Sequence, residues 1–182
     1  MQEIAECVEE MYEGLSKSDS RLMRKANDRC IAFLAVSPSP LFLSLSVISY
    51  VLSKILSKPR YMERKANQDY LKAIKDELLT CRGYIRSEKE VEVGESIKKM
   101  LKVVEQLNAS DRRFFLGLEE KAKLKIAVTL YAQGFSLGRA SEITGVDERE
   151  ILKYAGGTMM FDRLPERRGI GERVSIARRI FG

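Results

Sequence analysis

Apolar residues return every three or four positions through the first two thirds of the chain, and strand-like alternation is absent. The pattern therefore predicts successive amphipathic helices. Ile4, Val8, Met11 and Leu15 make one stripe. Leu22, Ala26, Cys30, Phe33 and Leu34 make a second, ended by Ser37-Pro38-Ser39-Pro40; Leu41 to Leu56 make a third, closed before Pro59. A long fourth helix carries Tyr70, Leu71, Ile74, Leu78 and Ile85. The run RSEKEVEVGE, from Arg86 to Glu95, is expected to loosen the chain before a fifth helix with Ile97, Met100, Leu101, Val104 and Leu107 on one face. Leu107 to Asp111 reads as a cap and a module boundary. Residues 1–110 are then a helical bundle, a candidate oligomerisation domain, and 111–182 a second module.

In that second module Leu124, Ala127, Val128 and Tyr131 recur at i, i+3, i+4 and i+7, which predicts a helix, and Gly134 follows where a cap wants positive φ. Ser136 is placed to cap the next helix with its hydroxyl, Leu137, Ala140 and Ile143 point one way, and Gly145 permits a tight reversal. Asp147 with Glu150 three residues on forms a D-x-x-E capping box for a third helix, with Ile151 and Tyr154 expected to face the core. Its exposed side would carry Glu148, Arg149, Leu152 and Lys153. Gly156-Gly157 is expected to break this helix, and Val174, Ala177, Ile180 and Phe181 make the stripe of a final one. The fold class expected is all-α: a bundle, a three-helix corner and a C-terminal amphipathic helix.

The stretch SLGRASEITGVDEREIL resembles the prokaryotic helix-turn-helix family, and is most similar locally to antitoxin-type DNA-binding regulators of toxin-antitoxin pairs. The resemblance covers about Glu119 to Ala155 and leaves the bundle outside it. It implies a DNA-binding transcriptional regulator with double-stranded DNA as partner. Arg149 and Lys153 on the third helix, with Ser136 and Arg139 on the second, would then face nucleic acid. Asp147, Glu148 and Glu150 oppose that approach electrostatically. The capping box accounts for Asp147 and Glu150, and a glutamate such as Glu148 can accept from a cytosine amine. The same acidic helix favours a second reading, in which the corner binds a protein partner.

Charge sharpens this picture. The formal net charge is +6, of which residues 1–110 hold +2 and 111–182 hold +4. Arg163, Arg167, Arg168, Arg173, Arg178 and Arg179 face only Glu166 and Glu172 after residue 162. An arginine's planar fork suits phosphate. Arg163, Arg167 and Arg168 are therefore further candidate DNA contacts, the alternatives being a solvated face or a protein partner docked through the C-terminal helix.

Composition excludes much chemistry. The chain has no His, which removes the commonest general base and metal ligand. No Gly-rich phosphate loop, ligand cluster or nucleophile motif stands out, so no enzyme, metal or cofactor is expected. Cys7, Cys30 and Cys81 are odd in number and widely spaced, which points to buried thiols in a reducing cytoplasm. The acidic N-terminus MQEIAECVEE is unlike a secretory signal. Cys30 to Ser53 carries no charge across 24 residues. Pro38 and Pro40 cut it into pieces shorter than the ~20 residues a bilayer core requires. It is read first as buried core helices, and otherwise as a homo-oligomer interface or a membrane contact.

Overall fold

The computed structural model describes residues 1–63, 65–110 and 117–158, and every regular element among them is a helix. The all-α expectation holds. In chain order the elements are α1 (Gln2–Ser16), α2 (Ser20–Val36), α3 (Pro40–Leu56), α4 (Pro59–Met62), α5 (Lys65–Arg86), α6 (Glu90–Ser110), α7 (Leu118–Ala132), α8 (Leu137–Thr144) and α9 (Glu148–Thr158).

The charge-free stretch explains the architecture. A helix apolar on all sides is stable only when surrounded, and α3 is in contact with α1, α2, α4, α6 and α7. Leu45, Ile48, Val51, Leu52 and Ile55 are fully buried. Ser39 caps its start by accepting from the Phe42 N–H at 3.3 Å, with Pro40 in the first turn where a missing N–H costs nothing. Its buried serines stay satisfied: the Ser46 and Ser49 hydroxyls donate to the Phe42 and Leu45 carbonyls at 2.8 and 2.7 Å. Asn27 of α2 answers from across the seam, donating to the Ser46 carbonyl at 2.7 Å and to Ser49 Oγ at 3.1 Å. The α3 part of this stretch is buried core, as in the first of the three readings, while Val36 at the end of α2 remains 84% exposed. Among the described residues no helix is long and apolar enough to cross a membrane.

Around α3, α1 packs on α2 and α5, and α5 packs on α6. Gly14 lets α1 lie close on α2, since a Cβ there would sit 3.0 Å from the Met23 backbone nitrogen. Cys7, Cys30 and Cys81 are buried free thiols. Two sequence expectations need correction. The EVEVGE run does not loosen the chain: α6 starts at Glu90, because Glu90 and Glu92 suit the positive end of a helix and Val93 is fully buried one turn before Ile97. The break is confined to residues 87–89, where Glu88 takes φ 54°. Leu107 to Ser110 is likewise still helix. The boundary expected at 110/111 adjoins residues 111–116, outside those described.

Through α7 the core runs on without interruption. Helix α7 touches α2 and α3 on one side and α8 and α9 on the other. Ala122, Ile126, Ala127, Val128 and Leu130 are buried, so its apolar residues surround the axis instead of forming the single stripe expected from Leu124 and Tyr131, which are half-buried.

Candidate nucleic-acid interface

Helices α7, α8 and α9 form a tight corner whose joints are set by backbone chemistry. Gly134 (φ 100°) and Gly145 (φ 72°) take left-handed conformations that would strain any other residue. Ser136 caps α8, its hydroxyl accepting from the Arg139 N–H at 3.2 Å. A three-residue turn, Gly145-Val146-Asp147, leads into α9, where the Asp147 carboxylate accepts from the Arg149 N–H at 2.8 Å. Ala140, Thr144, Val146, Ile151 and Ala155 bury the inside of the corner, and the Thr144 hydroxyl donates to the Ala140 carbonyl at 2.7 Å. Tyr154 does not join them. The inward stripe is Ile151 and Ala155, one turn apart, and Tyr154 remains 37% exposed. Helix α9 also continues through Gly156 and Gly157, which were expected to break it.

With 100° per residue, the line of α9 opposite Ile151 and Ala155 is occupied by Arg149 and Lys153, both exposed. Carboxylates flank this basic line. Glu148 lies on the α8 side, its Oε1 3.4 Å from the Cβ position of Gly138, an ordinary contact distance. On the other side Glu150, Lys153, Tyr154 and Gly157 border a cleft of about 430 Å³ opposite Leu124 of α7. Leu152 is 48% exposed.

Helix α8 presents a different surface. The Arg139 guanidinium pairs with Glu142 one turn on at 2.6 Å, and Arg139, Glu142 and Ile143 face Pro38, Pro40 and Leu43 across a cleft of about 260 Å³. Ser136 is exposed with its hydroxyl committed to the cap. Arg149 and Lys153 thus share a line, whereas Arg139 turns toward the α2–α3 junction. Arg163, Arg167, Arg168 and the C-terminal stripe lie outside the described residues.

A second cationic group escaped the sequence reading. The Tyr50 ring of α3 has Lys54 Nζ 5.2 Å and Lys125 Nζ 5.9 Å from its centroid. Desolvation, together with repulsion from Lys125, Arg24 and Lys58, holds the Lys54 ammonium below its ordinary pKa. Desolvation and the neighbouring Tyr154 push the Tyr50 phenol up. The i, i+4 spacing of Tyr50 and Lys54 was visible in the sequence; the convergence of α2, α3 and α7 on that ring was not. Among the described residues no group of three potential metal ligands occurs.

Compared with protein-family models, curated proteins and solved structures, the chain matches none.

Proposed function

We propose that the chain is a duplex-DNA-binding regulator in which α7–α9 act as a helix-turn-helix and α9 enters the major groove. The observation that carries this reading is the exposed line of Arg149 and Lys153 opposite the buried face of α9, on a helix aimed by a three-residue glycine turn. Arginine is the side chain best shaped to grip a guanine edge or a phosphate, and Lys153 adds a point charge one turn away. The resemblance of residues 136–152 to prokaryotic helix-turn-helix regulators supports the same assignment. Three buried thiols fit work in a reducing cytoplasm.

One observation favours a second reading. Glu148 and Glu150 flank the basic line and Leu152 stands exposed beside it, a mixture suited to a protein partner. Fluorescence anisotropy with random-sequence duplex separates the two. The DNA reading expects binding that weakens with salt and is weakened further by Arg149→Ala or Lys153→Ala, each flattening the salt dependence by about one unit of log–log slope. Binding indifferent to both substitutions and to salt would transfer the corner to the protein-partner reading.

A further inference from the structure

Lysines from two helices lie over one aromatic ring, with further cations close by. Lys54 and Lys125 both lie over Tyr50, and Arg24 and Lys58 are near enough to oppose the charge on Lys54. Among the described residues Arg24, Lys54 and Lys125 make no ion pair, although carboxylates capture Arg29 and Arg82 elsewhere in the same bundle. The carboxylate that faces the group is Asp28, attracted by Lys125 and Arg24, yet desolvation raises its pKa in spite of them. Like charges held together at a surface repel, and an arriving anion relieves that repulsion.

Position argues for an extended anion. Tyr154 of α9 is an electrostatic neighbour of Tyr50, and Tyr154 borders the same cleft as Lys153. Lys153, with Glu150 beside it in the cleft, is thus linked through Tyr154 and Tyr50 to Lys54, Lys125 and Arg24. We propose that Arg24, Lys54 and Lys125, arranged around Tyr50, form a second contact surface that holds the phosphodiester backbone of the duplex whose groove α9 enters. This rests on the DNA reading of α9 and deepens it: α9 reads, and the bundle grips. Phosphate contacts of this kind fix register and carry no sequence information.

The test uses the full chain and one random-sequence duplex, titrated by anisotropy across a salt series, with melting by circular dichroism to verify folding. Lys54→Gln with Lys125→Gln is expected to flatten the slope of log affinity against log salt by about 2, roughly 0.9 for each lost phosphate contact. Lys54→Arg with Lys125→Arg should keep the slope. Asp28→Asn should tighten binding about fivefold at low salt, the worth of one unit charge at about 4 Å in water. A merely structural role would not produce effects of opposite sign. If the glutamine pair and Asp28→Asn both bind like the unsubstituted chain while Arg149→Ala and Lys153→Ala weaken binding, the second surface is overturned and the α9 reading survives. The reverse pattern keeps the cluster and removes α9 from the interface. An unsubstituted chain that shows no salt-dependent binding overturns both.

Discussion

Arginines on one side of the bundle and the cations gathered at Tyr50 on the other have opposite fates. Arg29 of α2 reaches Glu6 and Glu10 of α1 at 2.9 and 2.8 Å, and the Glu10 carboxylate, followed by Glu6, raises its pKa further. Arg82 of α5 pairs with Glu9 at 2.7 Å and stacks over Tyr12 at 4.7 Å. Helix α1 supplies the carboxylates, at i, i+3 and i+4, so these charges are absorbed by helix–helix docking. Arg24, one turn before Asp28 on the same α2, belongs to the other group, where α3 and α7 bring lysines. The lesson is that net charge says little about binding until each charge has been assigned to the fold or to the surface. The +2 of residues 1–110 conceals arginines paired with α1 alongside Arg24 and Lys54, which make no ion pair among the described residues.

Breaking both regions at once takes a core substitution in α3, which packs against α1 and α2 as well as α7. Leu52→Ala removes a fully buried side chain and is expected to cost about 2–5 kcal/mol in urea unfolding. Gly14→Ala strikes the α1–α2 side alone: its new Cβ would press on the Met23 backbone, which cannot rotate away, at a cost of about 1–3 kcal/mol. That variant should leave the DNA salt slope unchanged. In the corner, Gly145→Ala places a Cβ at φ 72° and should cost about 1–2 kcal/mol.

Single-charge changes sharpen the contrast further. Arg29→Ala should lower the melting temperature and leave the salt slope alone, whereas Arg24→Ala should leave the melting temperature alone and flatten the slope by about one unit. Smallest is a pH effect confined to the bundle. Burial raises the Cys81 thiol to about 11 from an ordinary 9.0, so the folded state favours the neutral form. Its contribution is complete below pH 9 and is lost as pH rises toward 11. Stability should therefore decline less over that interval in Cys81→Ala than in the unsubstituted chain.

Helical periodicity made the elements readable in advance, because a stripe such as Ile4, Val8, Met11 and Leu15 states both the helix and its buried face. The corner was readable too: Ser136, Gly145 and Asp147 act through bonds to their own neighbours, so their roles are written locally. Sequence failed where a tertiary neighbour decided the outcome. Val93 holds the start of α6 in helix against the acidic look of its surroundings. Tyr154 was assigned inward by spacing, yet Ala155, smaller and one turn from Ile151, takes the inward place. Arg139 was assigned to nucleic acid although Glu142, three residues on along the same helix, pairs with it, and the Tyr50 cluster, assembled from residues up to 101 positions apart, was missed.

The central claim is that the positive charge left over by folding forms one surface, from Arg149 and Lys153 to Lys54, Lys125 and Arg24, that neutralises duplex phosphates. It is tested most directly by the salt slope of the unsubstituted chain on random duplex DNA. Five contacts at roughly 0.9 each predict a slope of about −4 or steeper. A slope near zero, with affinity the same at low and high salt, would contradict it.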